Sequence, residues 1–459
     1  MNTDTIAAIA TGMSPSGIGI IRISGEDAFS IASSVFHKKN KEVIDRYEDH
    51  RAYHGYIHDD KDILDEVILL VFVAPGSFTG EDTVEIQCHG GILMMKRILE
   101  LCLKKGARAA QPGEFTKRAF LNGKMDLSEA QAVMDVISSK NDLALKNSVK
   151  QMQGSLYRKI VEIRDKILYE IAFIESALDD PEHFDLDGYP EKLSNNLIVI
   201  LHDLEKLSDS FEDGRILTEG VKTVILGKPN VGKSSLLNIL AGSERAIVTE
   251  IAGTTRDTIE ENININGVYL NIVDTAGIRR SEDIVEQIGV RKALDIAEDA
   301  DLIIMVIDSS EVLSSEDEEI LHFIRTKSKK CVILLNKSDL GNVIGPEEIG
   351  CYTNNPVIVI SAKDETGIDE LKKFITDEYS KGYLKYNDEI FISNIRQKEA
   401  LTAAIESLLR VARSITENMP EDFYSIDLTA AYEHLGQIIG ATLEDDVVEE
   451  IFSRFCVGK

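Results

Sequence analysis

The stretch Gly227-Lys228-Pro229-Asn230-Val231-Gly232-Lys233-Ser234 decides the fold of the region around it. It follows an apolar run at 224–226 and precedes the helical pattern of 235–240. Strand, glycine-containing loop and helix in this order are the context of a phosphate-binding P-loop. The glycines let backbone N–H groups reach phosphate oxygens, and the start of the helix adds a partial positive charge. We therefore predict a nucleotide site in which Lys233 reaches the β- and γ-phosphates and Ser234 ligates Mg²⁺.

Three further motifs follow predicted strands in the order expected of a guanine-nucleotide domain. Asp274-Thr275-Ala276-Gly277 is predicted to lie near the metal and the γ-phosphate. Asn336-Lys337-Ser338-Asp339 supplies a carboxylate that can accept both N1–H and the exocyclic amine of guanine, whereas adenine offers neither donor. Ser361-Ala362-Lys363 can close over the base. The nucleotide is therefore expected to be GTP rather than ATP.

The predicted switch I segment lies between the P-loop and Asp274. It is Thr249-Glu250-Ile251-Ala252-Gly253-Thr254-Thr255, and Thr255 is assigned to the Mg²⁺ shell. Ile278 stands where Ras-like enzymes carry the glutamine that orients the attacking water. Isoleucine cannot hydrogen-bond water, so either hydrolysis is slow or another group performs that role. Glu286 is the candidate, directly or through a second water; the alternative is an exposed helix carboxylate.

Asn230 suggests which group supplies the positive charge that an arginine finger provides in other GTPases. Its side-chain carbonyl, beside switch I carbonyls, could bind a monovalent cation against the phosphates. Such an ion would occupy the position of an arginine finger's charge. Two copies of the domain meeting across their switch loops could order that site.

Length and hydropathy indicate a protein of several domains. The 459 residues are enough for two to four domains with substantial cores. No apolar run approaches the roughly 20 residues that span a bilayer, and no charged-then-apolar leader opens the chain. Five scattered cysteines without a C-x-x-C pair argue for reduced thiols in the cytosol and against a disulfide scaffold or zinc site.

The formal net charge of −29 argues against broad, charge-driven RNA binding. It leaves room for a local basic patch or for a partner that supplies one. One basic cluster is present, and we expect it to be a solvated face; it consists of Lys104, Lys105, Arg108, Lys117 and Arg118.

Patterning along the chain predicts four segments. Residues 1–120 form an α+β domain, with strands over 4–9, 17–24, 63–73 and 83–87. Residues 121–219 and 382–459 are two parts of a helical bundle, with a break at Gly154 and a loop over 181–190. Strands and helices alternate between them, over 220–381, as in a mostly parallel sheet covered on both faces. The fold class is thus multidomain α/β: an α+β N-terminal domain, a discontinuous helical bundle and an inserted Ras-like P-loop GTPase domain.

Several polar residues outside the nucleotide motifs are compatible with either a structural or a functional role. Arg22 lies inside an apolar strand, where an unpaired guanidinium is costly, so a carboxylate from the protein or from a ligand is expected beside it. Glu85 and Gln87 share one strand face. His89 is typical of a turn or cap. Cys456, near the chain end, is either a buried thiol or a reactive one.

Taken together, the chain resembles the MnmE (TrmE) family of tRNA-modification GTPases over essentially its whole length. Beside the GTP motifs, the resemblance rests on these stretches: Gly17-Ile-Gly-Ile-Ile-Arg-Ile-Ser-Gly25, Phe78-Thr-Gly-Glu-Asp-Thr-Val-Glu85, His89-Gly-Gly91, the run from Pro112 to Lys124, and the terminal Cys456-Val-Gly-Lys459. A P-loop occurs in many proteins, but its insertion before a C-terminal Cys-x-Gly-Lys, with this N-terminal region, is highly specific.

The resemblance implies a tetrahydrofolate-binding, dimerising N-terminal domain and a K⁺-stimulated GTPase whose G domains pair. The folate derivative, in its 5-formyl or methylene form, would contact Arg22, Glu85, Lys124 and Lys459. K⁺ would be held by Asn230, Thr249, Ile251 and Thr254, the last three partly through backbone carbonyls, and Mg²⁺ by Ser234 and Thr255. Catalytic roles fall on Glu286, Lys233 and Cys456, of which Cys456 is linked to the tRNA reaction.

The same resemblance implies which residues surround GTP. They are Asn230, Val231, Gly232, Lys233, Ser234, Ser235, Thr249, Glu250, Ile251, Ala252, Gly253, Thr254, Thr255, Asp274, Thr275, Ala276, Gly277, Asn336, Lys337, Asp339, Ser361, Ala362 and Lys363.

As a member of this family, the protein would be a cytoplasmic homodimer. It would act on tRNA in a heterotetramer with an FAD-containing partner, MnmG (GidA). Together they would add a carboxymethylaminomethyl group to carbon 5 of the wobble uridine, U34. The alternative is a ribosome-assembly or signalling switch that binds GTP without modifying RNA; such a switch needs neither the N-terminal region nor the terminal Cys456.

Overall fold

The structure is a computed structural model that describes residues 4–38, 47–59, 62–180, 182–183, 186–243, 260–273, 294–327, 329–379, 390–443 and 445–458. The chain divides into two compact units. The first comprises Met1–Ile137, Ser148–Leu204 and Glu399–Lys459, and the second Ser138–Asn147 and Glu205–Lys398. This division is coarser than the predicted one, whose boundaries at 120, 219 and 381 stay predictions.

The N-terminal region is built on a seven-stranded sheet of order β3-β4-β5-β6-β2-β1-β7. All neighbours are antiparallel except β1 and β7. The strands are β1 (Ile6–Ile9), β2 (Gly19–Ser24), β3 (Phe36–Lys38), β4 (Arg51–Asp59), β5 (Asp62–Phe72), β6 (Thr83–Cys88) and β7 (Arg108–Ala109). The four predicted strands are confirmed. The prediction did not include the short strands β3 and β7, nor β4, in which His54, Tyr56 and His58 interrupt the apolar signal.

Two helices cover one face of this sheet. They are α1 (Ala28–Val35) and α2 (Ile92–Lys104), and α3 (Glu114–Leu121) follows β7. Successive side chains of a strand alternate between the faces. Ile21 and Ile23 are fully buried in the core with Met95 and Ile98 of α2. Arg22 therefore lies on the opposite face.

The remaining helices outside the nucleotide region confirm the predicted discontinuous bundle. They are α4 (Leu127–Ser138), α5 (Asp142–Met152), α6 (Ser155–Asp179), α7 (Tyr189–Asp209), α8 (Phe211–Glu219), α13 (Ile395–Thr416), α14 (Asp422–Ile439) and α15 (Asp445–Ser453). The predicted break at Gly154 is confirmed, since its φ of 76° precedes α6. The predicted loop over 181–190 ends too late: Pro190 lies in the first turn of α7, where its missing N–H costs nothing. Among the described helices, none combines the length and apolarity needed to cross a membrane.

The second unit contains a six-stranded sheet of order β13-β12-β11-β8-β10-β9, in which only β9 and β10 are antiparallel. The strands are β8 (Val221–Leu226), β9 (Glu260–Ile265), β10 (Val268–Val273), β11 (Leu302–Asp308), β12 (Cys331–Asn336) and β13 (Val357–Val359). The helices with both ends described are α9 (Lys233–Ser243), α10 (Ser315–Lys327), α11 (Pro346–Gly350) and α12 (Ile368–Tyr379), with a 3₁₀ turn at Ser338–Leu340.

Both faces of this sheet are buried, which explains why its strands read as continuous apolar runs. On one face Ile225 packs in a core with Leu236 of α9 and Leu371 of α12. On the other, its neighbour Val224 packs in a second core with Ile320 of α10. The predicted parallel sheet with two covered faces is confirmed.

Part of the predicted solvated basic face is instead an ion network centred on the buried Arg118. The Arg118 side chain is 8% exposed and its Nη2 lies 2.8 Å from Asp4 Oδ1 and 3.2 Å from Glu114 Oε1, while Nη1 lies 3.2 Å from Glu81 Oε2. Arg108 contacts both Asp4 and Glu114 at 2.6 Å. The expectation was wrong for these two arginines because carboxylates from three separate segments converge on them.

Charge pairing makes this network sensitive to acid. The hydrogen bond from Arg108, supported by Arg118, holds the pKa of Asp4 below its ordinary value of 3.8. A lowered pKa means that the ionised carboxylate stabilises the folded state above that ordinary value. The contribution is lost as the pH falls toward the folded-state pKa.

We predict that Arg118→Met destabilises the protein by about 1.5–3 kcal/mol, because Glu81 loses its counter-charge while Asp4 and Glu114 keep Arg108. The measurement is the free energy of unfolding from denaturant titration. Arg454→Met is the matched control: Arg454 is 77% exposed and pairs with Glu450, four residues earlier, so the change should stay within about 0.5 kcal/mol. Equal effects of the two substitutions would contradict the network's role.

Candidate nucleotide site and N-terminal site

The P-loop connects the end of β8 at Leu226 with the start of α9 at Lys233. Gly227 has a φ of 141°, and a Cβ there would lie 2.2 Å from the Val306 carbonyl oxygen. Asn230 has a φ of 62°, in the left-handed region that asparagine enters more readily than most residues. The loop thus follows a path that requires glycine at its start and exposes Asn230 at its tip.

Lys233 folds back over this loop. Its Nζ donates to the carbonyl oxygens of Gly227 at 2.5 Å and Lys228 at 2.8 Å. These contacts hold the ammonium beside the backbone that is predicted to cradle phosphate. Ser234 and Ser235 follow at the exposed start of α9, where their hydroxyls are accessible to a metal or phosphate oxygen.

Asn336 ties the P-loop to the motif over 361–363. Its Nδ2 donates to the Val231 carbonyl oxygen at 2.7 Å, and its Oδ1 accepts from the Ala362 N–H at 2.9 Å. A Cβ on Gly232 would lie 2.2 Å from the same Nδ2, so this glycine makes the contact possible. The structure thereby brings together three segments that are far apart in sequence.

The carboxylate assigned to guanine lies at the same edge of the sheet. Ser361 Oγ donates to Asp339 Oδ1 at 3.0 Å, and Lys363 Nζ lies 3.6 Å from Asp339 Oδ2. The Asp339 side chain is only 13% exposed, so these contacts fix its orientation. A fixed carboxylate is suited to accept two parallel N–H donors of a base edge.

Lys337 is held by an ion pair that the sequence did not suggest. Its φ is 65°, and its Nζ lies 2.6 Å from Asp308 Oδ2 at the end of β11. Burial raises the pKa of Asp308, but hydrogen bonds from Lys337 and Ser310 outweigh burial and bring it below the usual range. The pair therefore stays charged near neutral pH and anchors this motif to the neighbouring strand.

Several predicted site residues lie outside the described part of the chain. They are Thr249, Glu250, Ile251, Ala252, Gly253, Thr254, Thr255, Asp274, Thr275, Ala276, Gly277, Glu286 and Lys459. Of the predicted nucleotide site, the described part comprises the P-loop and the two guanine-side motifs.

In the N-terminal region, Arg22 and Glu85 form the ion pair that its strand position required. They are cross-strand partners on β2 and β6. Arg22 Nε donates to Glu85 Oε1 at 2.8 Å, and Nη2 lies 2.8 Å from the same oxygen. The guanidinium carbon also lies 5.7 Å from the centre of the Phe78 ring and 5.6 Å from that of Phe115. Its orientation is thus determined by a carboxylate and two aromatic faces.

Lys124 reaches a different group. Its Nζ donates to the Pro75 carbonyl oxygen at 2.8 Å, and its stem lies beside Gly80. Arg22 and Glu85 are therefore in direct contact, whereas Lys124 is anchored to the loop between β5 and β6.

The terminal segment is anchored too. The Gly113 N–H donates to the Cys456 carbonyl oxygen at 3.1 Å, and Arg22 Nη1 donates to the Gly458 carbonyl oxygen at 3.3 Å. The Cys456 thiol is half-buried. Burial raises the pKa of Cys88 to about 11 and of Cys102 and Cys331 to about 12. Cys456 and the exposed Cys351 are therefore the thiols accessible to reagents.

Sequence reasoning did not assign four of these contacts to the sites: Phe78, Phe115, Asp308 and the Gly458 carbonyl. Phe78 and Phe115 do lie inside the stretches that carry the family resemblance, which was an available signal. Asp308 ends a fully buried strand, a position where a charged residue requires a partner.

Comparison with known proteins concerns the whole chain. A family model described as MnmE helical domain matches residues 127–456, and one described as GTP-binding protein TrmE N-terminus matches residues 5–124. The tRNA modification GTPase MnmE of Lachnoclostridium phytofermentans is 54% identical over 460 residues, covering 100% of both chains. The protein of the same name from Clostridioides difficile is 48% identical, covering 99% of each.

Among solved structures, the G domain of the T. maritima FeoB iron transporter is 28% identical, with a TM-score of 0.26. That alignment covers 35% of this chain and 98% of the FeoB chain. The full-length matches confirm the resemblance inferred from the motifs. This chain belongs to the MnmE family of tRNA modification GTPases.

Proposed function

We propose that this protein is a K⁺-stimulated GTP hydrolase that modifies tRNA together with an FAD-dependent partner, MnmG (GidA). The product is a carboxymethylaminomethyl group on carbon 5 of the wobble uridine. The observation that carries the GTP part is the Asn336 side chain, which joins the phosphate-binding loop to the loop beside Asp339. One residue thereby links phosphate binding with recognition of the base.

Guanine specificity rests on Asp339. Its carboxylate is oriented by Ser361 and lies at the carboxyl edge of the parallel strands, where ligands of such sheets bind. An ionised carboxylate only accepts hydrogen bonds. Guanine offers two donors on one edge, and adenine does not.

Phosphate chemistry is assigned to the P-loop with two kinds of metal ion. Lys233 contacts the β- and γ-phosphates, and Mg²⁺ is held by Ser234 and Thr255. K⁺ is held by Asn230 with Thr249, Ile251 and Thr254, and it supplies the charge of an arginine finger. Support comes from the left-handed, exposed position of Asn230 at the loop tip. Glu286 activates the attacking water.

For the N-terminal site we propose a tetrahydrofolate derivative, in its 5-formyl or methylene form, as one-carbon donor. The Arg22–Glu85 pair offers donors and acceptors side by side, as a planar heterocycle with an amide-like edge requires. Lys124 and Lys459 contact the same ligand. Cys456 takes part in the tRNA reaction; it is two residues from Gly458, whose carbonyl accepts from Arg22, and this link to the Arg22–Glu85 pair supports that role.

We further propose a homodimer formed through the N-terminal region. Beside the Arg22–Glu85 pair, the same sheet face continues through Leu70, the partner of Glu85, to Ile68, which is 44% exposed. Apolar side chains that stay exposed on a sheet face support an interface with another chain. The partner MnmG supplies much of the tRNA contact, since this chain carries a net charge of −29. Scattered, unpaired cysteines support a cytoplasmic location.

Nucleoside analysis of tRNA from a deletion strain tests the proposal. We expect wobble uridines to lack the carboxymethylaminomethyl group, and a plasmid copy of the gene to restore it. Normal wobble uridines in the deletion would overturn the proposal in favour of a GTP-dependent switch without RNA-modifying activity.

We predict that Asp339→Asn lowers affinity for GTP by at least about tenfold, since one charge-assisted contact is lost. It should raise affinity for xanthosine triphosphate, whose ring offers an acceptor where guanine has its amine. Kd values for both nucleotides, from fluorescent-analogue competition, check this. Asp364→Asn, an exposed change just beyond the 361–363 motif, is the control and should alter neither value. Unchanged nucleotide preference in the Asp339 variant would contradict the assignment.

We predict that GTP turnover falls when KCl is replaced by NaCl at equal ionic strength. Asn230→Ala should remove this difference while leaving GDP affinity within about threefold, because the side-chain carbonyl serves the cation rather than the diphosphate. Steady-state phosphate release in the two salts is the measurement. Equal rates for the unaltered protein in KCl and NaCl would rule out the cation role.

A further inference from the structure

The last residues of the chain follow a defined path across the N-terminal region. Phe452 and Phe455 pack in a core with Leu127 and Ala130. Beyond them, the Cys456 carbonyl accepts from Gly113, and the Gly458 carbonyl accepts from Arg22. Cys456 is therefore held between an aromatic anchor on one side and a guanidinium on the other.

Gly458 is suited to its place for a steric reason. It is buried and has a φ of 92°, in the region that favours glycine. A Cβ there would lie 2.3 Å from the Ile9 carbonyl oxygen and 2.9 Å from Ala10 Cα. Both are backbone atoms of the segment that begins the sheet, so neither can move aside cheaply. Val457, in contrast, is 56% exposed.

The contact with Gly458 also completes the surroundings of Arg22. Glu85 takes Nε and Nη2, the rings of Phe78 and Phe115 flank the guanidinium, and the terminal carbonyl takes Nη1. A planar guanidinium with all these partners has its plane and its remaining donors fixed.

We propose that Gly458 is a positioning residue of the N-terminal site: its carbonyl accepts from Nη1 and fixes the Arg22 guanidinium for the ligand, and the same contact ties down the segment that carries Cys456. The identity of the ligand rests on the proposed folate function, but the contact between Gly458 and Arg22 can be tested without folate.

The test uses the full-length protein in a Cys351→Ser background, which leaves Cys456 as the accessible thiol. Three variants are compared with it: Gly458→Ala, Arg22→Lys and the double variant. Val457→Ala is the matched control on the same segment. The readouts are the affinity for 5-formyltetrahydrofolate by calorimetry and the rate of Cys456 alkylation by iodoacetamide, followed by intact mass. The thermal unfolding midpoint checks that each variant folds.

We expect Gly458→Ala to weaken folate binding about tenfold, the value of one hydrogen bond to a charged group. Alkylation of Cys456 should accelerate several-fold, and Arg22→Lys should accelerate it too, since lysine lacks the planar fork. Because Gly458 acts through Arg22, the double variant should bind folate no more weakly than Arg22→Lys alone. Val457→Ala should match the unaltered protein in both readouts.

Folate affinity unchanged in Gly458→Ala would overturn the proposal, and so would strictly additive losses in the double variant, which indicate an independent structural effect. Absence of folate binding by the unaltered protein would instead overturn the cofactor assignment. In that case the rate of Cys456 alkylation tests the role of Gly458. Gly458→Ala and Arg22→Lys must each raise this rate, and the double variant must not exceed the larger single effect; any other result shows that the proposal is wrong.

Discussion

The nucleotide region depends on the two hydrogen bonds of the Asn336 side chain. One amide group donates to the P-loop at Val231 and accepts from the backbone at Ala362, so the phosphate side and the base side cannot separate without breaking one of these bonds. Its position at the end of β12 explains why an apolar strand must stop there: the next group has to be polar, planar and able to donate and accept at once. Gly232 follows from the same constraint, since a side chain on it would collide with the amide nitrogen. A nucleotide that contacts both loops would therefore bind to a frame that is already assembled, which lowers the ordering cost of binding.

In the N-terminal region, separate segments are held together by charged arginine side chains rather than by an amide side chain. Arg22 draws together two strands, two aromatic rings and the end of the chain. A second arginine, Arg118, draws together Asp4, Glu81 and Glu114. Guanidinium groups are suited to this because they remain charged at all relevant pH values and present donors in several directions. Here basic side chains serve internal cohesion, which is consistent with a chain whose surface charge is strongly negative.

Sequence patterns predicted the elements better than the contacts. The strands β1, β2, β5 and β6, the parallel sheet and the break at Gly154 were predictable because each has a local signal, either periodicity or a backbone conformation that only glycine adopts readily. Strand β4 was not, since its apolar residues alternate with histidines and with a glycine at position 55.

The nucleotide motifs were found because fixed spacing carries their chemistry. The ion network of Arg118 and the pairing of Lys337 with Asp308 were not predicted. Each joins residues that are far apart in the sequence, so no local sequence pattern indicates the pairing. Knowing that Arg22 needed a carboxylate did not reveal which one; the register of β2 against β6 supplies that answer.

The outer strands of the N-terminal sheet have a consequence for how this protein can associate. Within the described residues the sheet ends in β3, with three residues, and β7, with two. Strands this short offer few free backbone groups, so they are poor templates for adding a strand from another molecule. An association of two chains through the described part of this sheet would therefore rest on side chains packed across its face. Such contacts depend on shape and apolar area rather than on ladder pairing, so the fold favours selective assembly over open-ended fibres.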